Sequence, residues 1–293
     1  MEGLNNTRRE YAPPDGRVLL SADEGYFCEI ENAERSCPDD ISILTPYTTR
    51  KVVESLYRLG AMTAEAIRTL IKGDETLSEA LRSDNSIKRY IKQLTDGGYL
   101  FRCICARADE AADKEMVRFD YYIIPPRLSQ QMEKSYGPSM GRYLTSPTYV
   151  TQILSVSQMT ALMSDGSNTF KDYKTALLGD GRTIYTRFAY KGRFRLYLVS
   201  LRRGAGQSVT EVFGELSKKM NGRLESTRSI VICESAADIR RTAEEMFGKL
   251  KASQLYGIYF TNDFSFIDKD LNLLQIKRNT EGLHLIPVTL RDG

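Results

Sequence analysis

Apolar residues recur at helical spacing in three successive stretches. In the first, Val52, Val53, Leu56, Tyr57 and Leu59 fall together. Thr45-Pro46 offers an N-cap and a first-turn proline, and Gly60 offers the stop. In the second, Thr63 is the cap, Ala66, Ile67, Leu70 and Ile71 turn inward, and Gly73 ends the helix. In the third, the run Ser83–Ser86 offers several caps and Ile87, Tyr90, Ile91 and Leu94 share a face. Asp96-Gly97-Gly98 closes it. Two strand-like runs follow, Tyr99–Cys105 and Val117–Ile124, joined by a charged loop from Arg107 to Glu115, and Pro125-Pro126 ends the unit. Three helices, a strand, a loop and a strand predict a winged helix-turn-helix over residues 45–126.

The later pattern alternates. A connector over 127–147 contains a short helix near Leu128–Tyr136. Pro147 opens a helix over Thr148–Met163, and Asp165-Gly166 begins a turn. Strands are predicted at Thr183–Tyr190 and Phe194–Leu201, with Lys191-Gly192 as the hairpin turn. Next come a helix at Gln207–Met220, a strand at Ser229–Cys233, a helix at Ala236–Lys251 and a strand at Tyr256–Phe260. Leu273–Ile276 and Leu283–Val288 read as short strands. This predicts an α/β domain with a mixed sheet over 148–293, in a chain of α+β or α/β class. Helix, hairpin, helix, strand is also the order of restriction-endonuclease-like cores.

Charge divides the chain further. Residues 1–44 carry four basic and ten acidic side chains, net −6, and read as a solvated acidic arm with one short strand around Arg17–Leu20. Residues 166–223 carry twelve basic and four acidic, net +8. The single histidine, His284, excludes two-histidine metal sites, and a Ser–His–Asp triad would have to use it. Five scattered cysteines do not form a disulfide framework, no apolar run reaches the ~18–20 residues of a membrane span, and the N-terminus lacks an apolar leader. The expectation is a cytoplasmic, reduced protein with no membrane contact and no cofactor.

Four places could carry chemistry. The third helix has an apolar docking face and an outer face of Asn85, Ser86, Lys88, Arg89 and Lys92. Asn pairs with adenine, Arg with guanine, and Lys neutralises phosphate, so this face suits DNA. Its bland counterpart is a solvated helix face. The loop after it carries Asp109, Glu110, Asp113 and Glu115 against Arg107 and Lys114, which argues against a wing that grips phosphates. The second place is the hairpin, where Arg182, Arg187, Lys191, Arg193, Arg195, Arg202 and Arg203 interleave with Tyr185, Tyr190, Phe194 and Tyr197. That surface could hold nucleic acid by charge and stacking, or be a hairpin with aromatics inward and arginines solvated. The third is a metal-dependent nuclease site on Asp165, Asp172 and Lys174, resting on an acid-x-lysine spacing alone. The predicted hairpin strands carry no acid, so a degenerate core used for binding is the expectation. The fourth is zinc on Cys28, Cys37, Cys103 and Cys105, whose spacings match no common pair; buried core cysteine is the better reading for Cys103, Cys105 and Cys233. The run Gly204-Ala205-Gly206-Gln207 is the nearest approach to a phosphate loop and lacks the Lys-Ser/Thr ending.

The stretch LTPYTTRKVVESLYRLGAMTAEAIRTLI, followed by NSIKRYIKQLTDGGYLFR, resembles the winged-helix region of the replication-relaxation family of plasmids and conjugative elements. The resemblance covers residues 43–124. It implies a DNA-binding accessory protein acting at an origin region in replication or transfer. By position it puts Asn85, Ser86, Lys88, Arg89 and Lys92 on the recognition helix. The acidic arm and the acidic loop tip depart from the family pattern.

The expected function is therefore non-catalytic binding of double-stranded DNA at an origin or operator, with Arg187, Lys191, Arg193 and Arg195 adding phosphate contacts. Expected partners are duplex DNA, a second copy of the chain across paired half-sites, and a replication or relaxosome protein. The competing readings are the metal-dependent nuclease and a winged helix that docks on protein.

Overall fold

A computed structural model describes residues 27–31, 47–74, 77, 79, 81, 83–107, 117–144, 146–164, 173–190, 194–220, 227–247, 249, 257–268, 270–279 and 282–290. The protein is a mixed α+β molecule with a three-stranded and a seven-stranded sheet. The N-terminal elements are β1 (Phe27–Ile30), α1 (Tyr47–Leu59), α2 (Ala64–Gly73), α3 (Asp84–Asp96), β2 (Phe101–Arg107) and β3 (Val117–Ile123). Thr63 caps α2 by accepting from the Ala66 amide at 3.2 Å, and Ser83 caps α3 by accepting from the Ser86 amide at 3.1 Å. Gly60 ends α1 at φ +94°, where a Cβ would also crowd Met140 and Ile153 at 3.2 and 3.3 Å. Met62 and Tyr122 exchange backbone hydrogen bonds of 3.1 and 2.8 Å, tying the α1–α2 turn to β3.

β2 and β3 pair antiparallel, and β1 adds to the free edge of β2. The segment Phe27–Ile30, expected within the solvated arm, is thus an edge strand. Alternation places Cys28 and Ile30 partly against the core while Glu29 stays exposed. The rest of the acidic arm, its Arg17–Leu20 strand, Cys37, the acidic loop tip at 108–116, Asp165, Asp172, Lys191 and Arg193 lie outside the described residues.

α4 (Pro126–Tyr136) follows directly, the short helix expected near Leu128–Tyr136, begun two residues earlier by Pro126. A short 3-10 turn leads to α5 (Pro147–Leu162). The second sheet contains β4 (Lys174–Leu177), β5 (Ile184–Tyr190), β6 (Phe194–Ser200), β7 (Thr227–Cys233), β8 (Ile258–Asn262), β9 (Leu273–Asn279) and β10 (Gly282–Val288). α6 (Val209–Met220) and α7 (Ala236–Phe247) make the crossovers β6–β7 and β7–β8, which are the parallel pairs. A short α8 (Phe264–Asp268) follows β8. The spatial order runs sequentially from β10 to β4. β4 and α8 were not predicted; each has only four or five residues, too few to show a period.

The centre of this sheet is covered on both faces. Ile184, Phe188, Leu196, Leu198, Ile230 and Ile232 belong to the core that includes α1, α2 and α5. Val199, Val231, Cys233 and Phe260 belong to the core under α6 and α7. β7 is accordingly buried at every position.

α5 joins the two parts. It carries no charged residue, and Val150 through Ala161 are all buried. It packs on α2 and α1 from one side and on β5 and β6 from the other. Its polar groups are mostly satisfied within the helix: Thr160 Oγ1 donates to Val156 O at 2.7 Å and Ser157 Oγ to Leu154 O at 3.0 Å. Gln152 reaches further. Its Oε1 accepts from the Ile184 amide at 2.7 Å and from Gln207 Nε2 at 3.1 Å, and its Nε2 donates to Arg182 O at 3.1 Å. Among the described residues, no helix is long and apolar enough to cross a membrane.

Replacing Gln152 by Leu roughly keeps the volume, leaves the buried Ile184 amide without its acceptor and removes one bond each from Arg182 O and from Gln207, which keeps Thr183 Oγ1 and Ser200 O. Gln152→Leu should destabilise the protein by roughly 1–3 kcal/mol, read as a lower urea midpoint at unchanged slope. An unchanged midpoint would show that these groups find other partners.

Candidate nucleic-acid interface

α3 has two distinct faces. Ile87, Ile91 and Leu94 are buried. Tyr90 is half-buried and its hydroxyl donates to Thr49 Oγ1 on α1 at 2.8 Å; burial raises its pKa, so the phenol stays protonated. On the other side Asn85, Lys88, Arg89 and Lys92 are exposed. Ser86 is different: its hydroxyl shares a 2.8 Å hydrogen bond with the capping Ser83, so it serves the helix start. Asp84, in the first turn, sits 2.7 Å from Lys72 and 3.9 Å from Arg68 of α2, fixing α3 against α2. Lys88 and Lys92 border an open groove that reaches β2 and β3, where Arg102 is held by Asp120 at 2.5 Å and Glu31 at 3.0 Å.

The basic block of the hairpin divides. Arg187 of β5 and Arg195 of β6 line a cleft of about 290 Å³ together with Lys174 of β4 and Arg58 of α1. Tyr57, Tyr136 and Tyr173 form its aromatic wall. The guanidinium of Arg58 lies 4.8 Å from the Tyr136 ring centroid and 5.9 Å from that of Tyr173. The Tyr57 hydroxyl donates to Gly137 O at 2.6 Å, and that of Tyr136 donates to Glu54. Tyr173 is buried, which pushes its phenol pKa well up and keeps it neutral. No carboxylate of a described residue lines the cleft. Arg58 went unnoticed in the sequence because nothing local marks a last-turn arginine as facing a strand more than a hundred residues away.

Arg202 and Arg203 lie at the other end of β6, roughly 20 Å from Arg195 along an extended chain. Arg202 is buried and forks onto Asp263, with Nη1–Oδ2 at 2.6 Å and Nη2–Oδ1 at 2.7 Å. Burial alone would weaken its hold on its proton; the Asp263 carboxylate more than compensates. Arg203 is bound by Asp238 at 2.9 Å and Glu234 at 3.3 Å. Arg182 donates to Gly206 O at 2.8 Å. Arg202 and Arg203 are thus matched by carboxylates, whereas Arg182 is exposed with its guanidinium on a backbone carbonyl. The Gly204–Gly206 run is structural: Gln207 pins it inward through Ser200 O and the Arg202 amide, both at 2.8 Å.

No family model matches the chain, and no curated protein matches it. Among solved structures it is similar to the crystal structure of protein VC1899 from Vibrio cholerae, at 12% identity and a TM-score of 0.29. That similarity covers 87% of this chain and 60% of the other.

The remaining candidates fall elsewhere. His284 is exposed on β10. Cys28 sits opposite Cys105 across β1 and β2, Sγ to Sγ 3.3 Å, and Cys103, Cys105 and Cys233 are buried. Among the described residues no group of His, Cys, Asp and Glu is arranged to hold a metal ion, so the zinc reading has no site there. Lys174 is in the cationic cleft, apart from any described acid.

In the crevice beyond β6 and β7 the Glu234 carboxyl is shifted upward. Glu234 accepts from the Arg203 amide at 2.8 Å, yet burial outweighs its arginine neighbours and pushes its pKa up to about 7. The folded protein therefore holds this proton more tightly than the unfolded chain. The stability contributed is full below the ordinary carboxylate range and is lost as pH rises through about 7. Relative to Glu234→Gln, the wild type should lose stability in urea between about pH 5 and pH 8. Parallel curves for the two proteins would show that Glu234 titrates normally.

Proposed function

We propose that this chain is a non-catalytic DNA-binding protein that reads double-stranded DNA through α3. In this reading α1–α3 with β2 and β3 are a winged helix-turn-helix, and α3 enters the major groove. The observation that carries it is the outer face of α3. Asn85, Lys88, Arg89 and Lys92 are all exposed opposite a buried apolar stripe, which supplies base-edge donors and phosphate contacts on one helix. A duplex site at an origin or operator of a plasmid or mobile element, and a dimer across paired half-sites, follow from the sequence resemblance. Catalysis is left out because only the acid-x-lysine spacing of Asp172 and Lys174 speaks for it; no cofactor is invoked.

Fluorescence anisotropy across a salt series tests the reading, with random duplex and the DNA flanking the gene. Lys88→Ala combined with Arg89→Ala should weaken binding to the flanking fragment at least tenfold near 0.1 M salt. It should reduce the log–log salt slope by about 2. Equal and feeble binding of wild type to both duplexes would favour a winged helix that docks on protein.

A further inference from the structure

We propose that the cleft between the end of α1 and the edge of the seven-stranded sheet binds one nucleotide unit of single-stranded DNA, gripped by its phosphate. The inference goes beyond the duplex reading and does not depend on it. Four cationic side chains from four elements converge there: Arg58, Lys174, Arg187 and Arg195. The strand register makes the arrangement unfavourable by itself. Lys174 lies directly opposite Arg187, and Arg195 is two residues from Tyr197, the partner of Arg187 on its other side. Like charges directly opposite one another on a sheet repel, and diagonal neighbours remain within reach of long side chains. No ion pair to a described residue relieves Lys174, Arg187 or Arg195. By contrast, Arg202 and Arg203 on the same strand's far end are each matched by carboxylates. A local rule broken at one place while obeyed at its neighbour marks a functional site, and the missing partner is an anion.

Size and walls narrow the anion. About 290 Å³ is roughly ten water volumes, more than a lone phosphate needs and at the lower end for a ligand pocket. Beside the cations stand Pro138 and the rings of Tyr57 and Tyr136, whose hydroxyls are already committed to Gly137 O and Glu54. Tyr57 is only 3% exposed and Arg58 lies 4.8 Å from the Tyr136 centroid, so Pro138 and the partly exposed Tyr136 are the apolar surface left beside the cations for a sugar or base. Arginine forks supply bidentate contacts to phosphate oxygens.

The test uses the full chain and a 3′-labelled, 5′-phosphorylated ten-residue oligothymidylate in anisotropy at low salt. Thymidine monophosphate and inorganic phosphate serve as competitors. Wild type should bind the strand, and thymidine monophosphate should compete far better than inorganic phosphate. Arg187→Gln with Arg195→Gln should weaken strand binding at least tenfold, and Lys88→Ala with Arg89→Ala should leave strand binding unchanged. Lys174→Gln, at an exposed edge position that tolerates substitution, should weaken it several-fold and guards against misfolding of the double variant. In thermal melts, thymidine monophosphate should raise the wild-type midpoint and not that of the cleft variants. Strand affinity unchanged in the cleft variants would overturn the proposal. So would inorganic phosphate competing as well as the nucleotide, which would leave only a free-anion site. Loss of duplex binding in the α3 variant alone would bear on the duplex reading and not on the cleft.

Discussion

Everything in this protein is arranged around one helix that must avoid water on every side. α5 has no charged residue, and Val150 to Ala161 are buried without interruption. An uncharged helix buried all round has no solvent face to offer, so it needs partners on both sides. α1 and α2 provide one, and the β5–β6 face provides the other. Gln152 adds direction to what packing alone would leave free to rotate, because its amide meets backbone groups at Arg182 and Ile184. The N-terminal helices and the large sheet consequently share a continuous core.

That shared core explains the charge pattern on the sheet. β6 enters beside α1 with Arg195 and leaves towards the carboxyl ends of the parallel strands with Arg202 and Arg203. At the leaving end, β7 and β8 finish together and present Glu234 and Asp263, and the first turn of α7 adds Asp238. A guanidinium buried there is tolerable because a carboxylate meets it in bidentate geometry. At the entering end the neighbours are the antiparallel edge strands and the aromatic end of α1, which bring rings and more cations. One stretch of basic sequence thus meets opposite electrostatic surroundings at its two ends.

Local order was legible in the sequence where a period or a cap marked it. The three N-terminal helices, Thr63 and Ser83 as caps, the β2–β3 and β5–β6 hairpins and both crossover helices are found where patterning places them, within a few residues. The class, a mixed α+β chain with a mixed sheet, was legible too. β1 was hidden because four residues in an acidic context carry too short an alternation, and only β2 makes them a strand. The exposed face of α3 could be read from helical spacing. The cleft could not, since Arg58, Lys174, Arg187 and Arg195 are gathered by tertiary packing across long sequence separations. The basic block misled for a related reason: sequence proximity shows charge density but not which arginines are neutralised.

α1 sets the geometry between the two cationic surfaces. Thr49 near its start receives the Tyr90 hydroxyl of α3, and Arg58 near its end enters the cleft. Nine residues separate them, about 14 Å along a helix. Val52, Val53 and Leu56 between them, and Leu59 just beyond, are buried in the core that includes α5. α1 therefore cannot slide or tilt without repacking the helix on which the whole structure rests, and close-packed interiors resist such movement. The outer face of α3 and the cleft are held apart at a fixed distance by the same burial that joins the two sheets.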